Sequence, residues 1–317
     1  MLVLSTPRRT ALALTLAAAC WGLGTVVSKR AIEEIPPLTL LPIQLGASLA
    51  FLALLMRWRG LPFRDRTASP ILGRLGVLNP GLAYALSLLG LAFITASLSV
   101  MLWAIEPLLI LLLAGWFLGE RIGGPLVVLS LVAVAGMLLV IYEPGSTGSP
   151  IGVLLTLAGV ACCAVYTVVT RRWLASADST AQVVLAQQAH AFAFAIVLVV
   201  AVALLGGVAW PVNVTAIGWA SAIASGLLYY GLAYWLYLSG LRNAPASFAA
   251  LSFYLIPIFG VAGGFLLLGE RLDPSQWLGA ATVLIALLLI VRRTSAAVLT
   301  TDYPREAPSL NPSEYPQ

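Results

Sequence analysis

The sequence predicts an all-α integral membrane protein: ten transmembrane helices arranged as two inverted five-helix repeats. Three observations carry this. The 317 residues are 61% hydrophobic and 9% charged, with a mean hydropathy of +1.00, which leaves too little polar surface for a soluble globule of that length. Apolar runs of roughly 20 residues, enough to cross a bilayer, follow one another almost without pause. Finally, GLAYALSLLGL at 81–91 returns as GLAYWLYLSGL at 231–241, a shift of 150 with eight of eleven positions identical.

The apolar runs fall at about 10–28, 37–57, 71–92, 96–118, 123–142, 150–170, 180–206, 214–239, 246–268 and 275–292. Each reads as a helix, because a lone segment in lipid must satisfy its own backbone hydrogen bonds. Joining segments are mostly short and leave no room for a soluble domain. If the N-terminus is cytoplasmic, fourteen Lys and Arg residues fall on the inner side and three (Lys29, Arg30, Arg271) on the outer side. The positive-inside rule then places both termini in the cytoplasm. This bias accounts for the net charge of +5 without any nucleic-acid partner, with anionic lipid headgroups as the natural counter-charge.

The duplication extends beyond the opening match. The same shift carries Ala96-Ser97 onto Ala246-Ser247, Pro107 onto Pro257, and Gly119-Glu120-Arg121 onto Gly269-Glu270-Arg271. The first spans match more weakly, Thr25–Arg30 resembling Thr167–Arg172 at a shift of 142. Repeat one is 1–143, repeat two 149–293, and 294–317, with Pro304, Pro308, Pro312 and Pro316 among polar residues, reads as a disordered cytoplasmic tail. Five is an odd number of crossings, so the second copy runs opposite to the first, the architecture of alternating-access transporters. Residues 1–24 superficially suggest a lipoprotein signal, with Arg8-Arg9 and Ala17-Ala18-Ala19-Cys20. Cleavage there would delete the first helix of a repeat, which argues against it.

Paired five-helix units, each with a Pro-containing fourth helix followed by Gly-Glu-Arg, resemble the EamA-type branch of the drug/metabolite transporter superfamily over about residues 10–292. The resemblance implies a basket of helices around a central cavity, walled mainly by spans 1, 3, 4, 6, 8 and 9, with spans 5 and 10 at the periphery. Members of that branch include bacterial inner-membrane exporters of amino acids, aromatic ones among them.

Candidate site residues follow span by span. Trp21 in span 1, Tyr166 in span 6 and Tyr254 in span 9 are aromatic residues of presumed wall helices. In span 3, Asn79-Pro80 breaks the helix, and Asn79 can both donate and accept beside a cavity or merely cap the break. Tyr84 is the repeat partner of Tyr234, Trp103 that of Phe253, and Tyr230 sits one turn from Tyr234. Lining of this kind suits flat or apolar groups and, through the ring faces, organic cations. Ordinary packing is the competing reading, and an interfacial belt claims Trp58, Trp173, Trp210 and Trp219.

Glu106 is the acidic residue well inside a span, and its repeat partner is Ile256. A carboxylate is costly in hydrocarbon, so it faces a cavity or the bundle interior and is often functional. It is a candidate substrate ligand and proton site; the alternative is a hydrogen bond to backbone freed by Pro107. Pro107 and Pro257 each remove a helical hydrogen bond at equivalent depth, leaving a gate or a plain kink. In span 7, His190 is a second candidate proton site. Gln187 and Gln188 beside it, and Gln44 at a shift of 143 from Gln187, read as interhelical hydrogen-bonding groups. Cys20, Cys162 and Cys163 read as packing residues, and Gly260 with Gly264 as a close-packing face.

The chain carries one histidine, so a catalytic triad or His-rich metal centre has little to build on. No phosphate-binding loop is present, and neither cofactor nor metal is expected. No Lys or Arg lies mid-span, so a dianionic phosphate would meet no counter-charge. A zwitterion or weak cation fits one carboxylate among hydroxyls and amides. The expected function is export of amino acids, aromatic or bulky apolar ones first. Export of lipophilic cations is the alternative, and a non-transporting membrane enzyme or receptor a remote one.

Overall fold

A computed structural model describes residues 6–63, 70–103, 105–118, 124–141, 149–174, 179–207, 210–241 and 251–300. All regular structure among them is helical. In chain order the elements are α1 (Thr6–Ile32), α2 (Pro37–Trp58), α3 (Pro70–Phe93), α4 (Ala96–Trp103), α5 (Glu106–Leu118) and α6 (Gly124–Ile141). They continue with α7 (Pro150–Leu174), α8 (Thr180–Leu204), α9, α10 (Ile256–Leu267) and α11 (Pro274–Thr300). The ninth helix has three pieces, Ala216–Ser225, Gly226–Leu232 and Ala233–Leu241.

Six stretches are long and apolar enough to cross a membrane: Arg9–Ile32, Pro37–Trp58, Pro70–Phe93, Pro150–Thr170, Thr180–Leu204 and Ala216–Gly240. Three more, Ala96–Ile110, Ile256–Leu267 and Trp277–Ala286, are apolar but shorter. Large apolar side chains such as Leu54, Leu154, Val197 and Leu266 point outward, the pattern of a body solvated by lipid. Trp58, Trp173, Trp210 and Trp219 are all exposed, in keeping with an interfacial position.

Where helices fall short of a clean span they are broken, and the breaks recur at the shift of 150. The third helix changes to a π-type winding over Val77–Leu82 and the ninth over Gly226–Leu232. Asn79 leaves helical geometry altogether (φ −147, ψ 120), ahead of a cis bond to Pro80. The expected continuous helix 96–118 is two helices, with Ile105 in a turn between them. Glu106 opens α5 as Ile256 opens α10. Pro107 therefore stands in the first turn of a helix, where the absent N–H costs no hydrogen bond, and it starts a helix rather than kinking one, which corrects the mid-helix reading there. Pro257 stands where a 3-10 turn, Leu251–Leu255, passes directly into α10.

Packing is tight where glycine lets backbones meet. A Cβ on Gly76 would collide with the Gln187 carbonyl, and one on Gly226 would lie 2.5 Å from that of Gln44. Gly81 faces Phe194 just as Gly231 faces Phe51. α1 packs against α9 and α10, α7 against α3 and α5, and α6 against α11. α4 and α10 run in opposite directions, with Ser97 beside Gly264 and Val100 beside Gly260. α11 continues to Thr300, past the 293 boundary expected for the tail; residues 301–317 lie outside the described ones.

Candidate functional site

The break in α3 decides where the site forms. Extended backbone at Asn79 turns its side chain inward, where it is 1% exposed. Its Nδ2 donates to Cys163 Sγ on α7 at 3.2 Å, and its Oδ1 lies 3.1 Å from the Tyr234 hydroxyl of α9. Tyr234 also lies 3.1 Å from the Tyr84 hydroxyl. A phenol has one proton to donate, so Tyr84 donates to Tyr234 while Tyr234 donates to Asn79. Glu106, buried at the start of α5, lies beside the Cys163 thiol. The result is one hydrogen-bonded line, Tyr84 to Tyr234 to Asn79 to Cys163, with a carboxyl group beside its end. The line crosses between the two halves of the chain three times.

Aromatic rings enclose this line. Tyr84 stacks on Trp103 with centroids 5.5 Å apart, and meets Tyr229 and Tyr230 edge-on at 5.0 and 5.1 Å. Trp21 meets Tyr234 at 5.6 Å, Tyr237 at 5.4 Å and Phe253 at 5.5 Å. Pairs of this geometry contribute about 0.5–1.5 kcal/mol each beyond burial. Trp21 Nε1 is buried without a hydrogen-bond partner, so a donor remains available beside the rings. Tyr166, one turn after Cys163 on α7, donates to Gln187 Oε1 at 2.8 Å. Among the described residues no cation pairs with Glu106, since the ion pairs are Arg30 with Glu33 and Glu34.

Of the residues singled out from the sequence, Trp21, Asn79, Tyr84, Trp103, Glu106, Tyr166, Tyr230 and Tyr234 are all buried. The contacts above join Trp21, Asn79, Tyr84, Trp103, Tyr230 and Tyr234, while Glu106 lies beside Cys163 and Tyr166 is tied to Gln187. The Tyr254 side chain lies outside the described residues. His190 does not belong to the group. It is exposed on α8, its Nδ1 lies 2.8 Å from the Ala186 carbonyl, and its ring rests against Gly73. Two positions earlier on the helix, Gln188 faces inward and donates to the Tyr230 carbonyl at 3.1 Å; the turn that buries Gln187 and Gln188 sends His190 outward. Gln44 does link helices, its Nε2 reaching Ser28 at 2.9 Å and Ser225 at 2.7 Å.

Two site residues escaped the sequence reading, Cys163 and Tyr229. A signal was present for both. Cys163 is the partner of Trp21 at the shift of 142, and Tyr229 that of Asn79 at 150. Applying the repeat to each candidate, rather than to like residues only, would have found them.

The other repeated motif is joined across the halves too. Gly269 takes a left-handed φ of +67, which L side chains adopt at a cost. The turn brings Glu270 onto the first turn of α4. There its Oε1 accepts from the Ala96 N–H at 2.8 Å, and its Oε2 accepts from the Ser97 N–H at 2.9 Å and the Ser97 hydroxyl at 2.5 Å. Lys29 at the end of α1 donates to the Leu91 and Ile94 carbonyls at 2.8 and 2.7 Å. Glu120, Ala246 and Ser247, the sequence partners, lie outside the described residues.

Known proteins are similar to this chain in sequence and in fold. The profile of the EamA-like transporter family matches twice, over residues 8–142 and 150–292. A protein named an uncharacterized transporter in Archaeoglobus fulgidus is 24% identical over 283 residues, covering 88% of this chain and 98% of its own. The uncharacterized transporter YvbV of Bacillus subtilis is 27% identical over 297 residues, covering 91% and 93%. A solved structure, titled only as the crystal structure of a protein, matches the fold with a TM-score of 0.66 at 19% identity, covering 94% of this chain and all of that one. Two family matches tiling the chain, over a helical body with an apolar surface and a buried polar line, lead to one assignment: the chain belongs to the EamA-like transporter family and is a multi-pass membrane protein.

Proposed function

We propose that this transporter exports amino acids, aromatic or bulky apolar ones first, across a bacterial inner membrane. In this reading the two five-helix repeats, 1–143 and 149–293, are inverted relative to each other, and both termini are cytoplasmic. Transport proceeds by alternating access about a site formed by Trp21, Asn79, Tyr84, Trp103, Glu106, Tyr166, Tyr230, Tyr234 and Tyr254.

The observation that carries the reading is the hydrogen-bonded line from Tyr84 to Cys163, with the buried Glu106 carboxyl beside its end, inside a box of rings. A carboxyl group is the natural partner of a substrate ammonium. Hydroxyls, the Asn79 amide and the free Trp21 N–H can meet a carboxylate, and the ring faces a flat side chain. α4 belongs to span 4 and α10 to span 9, its counterpart in the other repeat, and their antiparallel course supports inversion. So does the packing pattern, since exchanging the repeats maps the contacts of α1 with α9 and α10 onto those of α7 with α3 and α5.

A counterflow panel of all amino acids with reconstituted protein tests the assignment. Exchange of phenylalanine, tyrosine, tryptophan and leucine should exceed that of acidic and small polar residues. Exchange of lipophilic cations alone would favour the second reading, which one carboxyl among ring faces also supports. Chemical conversion without flux would refute both.

A further inference from the structure

We propose that Glu270 is the latch of the outer gate, and that breaking its hold on Ala96 and Ser97 is the event that exposes the site to the outer side. The proposal rests on the alternating-access reading but not on the identity of the substrate.

Several features of the molecule converge on this contact. Glu270 follows α10 directly, and Gly269 provides the reversal that points it back at α4. Its carboxylate accepts three hydrogen bonds from two adjacent residues, bonds of the charge-assisted kind, at the positive end of a helix. Space for it is cleared by Gly264, where a Cβ would stand 2.6 Å from Glu270 Oε2 and 2.7 Å from Ser97 Oγ. Lys29 lies close enough to interact electrostatically with Glu270, while its ammonium holds the end of α3. The ends of α1, α3 and α10 and the start of α4 are thus bound together by two side chains.

The position of this knot makes it a gate. α4 and α10 meet along one seam, Ser97 against Gly264 and then Val100 against Gly260. Continuing along α4 by six residues, about 9 Å at 1.5 Å per residue, leads to Trp103, which stacks on Tyr84 in the site. Glycine and valine hold the seam only by van der Waals contact, so the latch is its polar closure. Opening the seam from that end uncovers the site directly.

Cys163 provides the reporter, since it is buried and bonded within the site. With Cys20→Ala and Cys162→Ala as background, Cys163 is labelled in nanodiscs by a membrane-impermeant methanethiosulfonate, without substrate. Ser97→Ala and Glu270→Gln should each raise the labelling rate about tenfold, the equilibrium effect of losing one charge-assisted hydrogen bond. The same variants in sealed, oriented vesicles should show the gain from the outer side. Unchanged rates in folded Ser97→Ala and Glu270→Gln, or a gain from the inner side alone, would overturn the latch and leave Glu270 an ordinary helix cap. Should Glu270→Gln fail to fold, Ser97→Ala decides alone, because it keeps both backbone bonds.

Discussion

The hydroxyls of Tyr84 and Tyr234, repeat partners 150 residues apart, lie 3.1 Å from each other. Duplicated residues meet in this way only near an axis relating the two copies. Yet their surroundings differ: Asn79 is paired in the repeat with Tyr229, Trp21 with Cys163, and Glu106 with Ile256. The repeat supplies like positions on both sides of this contact, while the side chains that occupy them differ.

Tyr84→Phe and Tyr234→Phe keep the ring; the first deletes one link of the line and the second deletes two. Each should cost about 1 kcal/mol of stability and weaken transport, Tyr234→Phe more, because it strands Asn79 Oδ1. Substitution by Ala is a harsher change, opening a cavity at a cost of about 3–5 kcal/mol. Substrate affinity and thermal unfolding measured on the same preparations separate the two effects. Wild-type affinity in both Phe variants would return the pair to a packing role.

Glu106→Gln retains size and hydrogen-bonding capacity but removes the charge. Counterflow of zwitterions should fall by about tenfold or more, the cost of losing a charge-assisted bond to the ammonium. An imposed pH gradient should drive flux in the unmodified protein and not in Glu106→Gln if Glu106 also carries a coupling proton. Equal counterflow in both proteins would remove Glu106 from the site.

His190→Phe should leave transport and its pH dependence unchanged, since the ring faces outward from α8. A lost pH response in that variant would restore the histidine as a proton carrier.

Gly76→Ala places a methyl group against the Gln187 backbone, which cannot yield as a side-chain end does. A loss of about 1–3 kcal/mol or outright misfolding is expected. Gly124→Ala meets nothing within 4 Å and should be neutral or slightly stabilising. Thermal unfolding of the two variants in detergent compares them directly.

Glu34, in the turn between α1 and α2, accepts from the Thr215 N–H at 2.7 Å and from its hydroxyl. These bonds, the side-chain one first, and then Arg30 hold its carboxyl below the usual range. A depressed value means that the tie to the start of α9 is present at neutral pH and is lost as pH falls below the ordinary glutamate range. Thr215→Val should remove that part of the acid sensitivity of thermal stability, while Arg30→Gln should change it less.

The sequence by itself determined the class of the molecule and the duplication, and it named most of the side chains that the fold brings together. Bulk hydropathy and run length read directly as lipid-facing helices because the bilayer imposes one length on each crossing. A gap-free repeat marks equivalent positions regardless of their contacts. Tertiary structure decided which side chains meet. Helical periodicity could not tell that His190 turns outward while Gln188 turns inward, because both faces of a membrane helix are apolar enough to be buried. Proline alone could not distinguish a kink from a helix start; the turn at Ile105 settles that for Pro107. Cys163 looked like packing because a thiol acquires polar meaning only from its neighbours, here Asn79 and Glu106. The role of Gly-Glu-Arg was equally invisible, since Glu270 finds its partners 173 and 174 residues away, and only the fold brings them within a hydrogen bond's length.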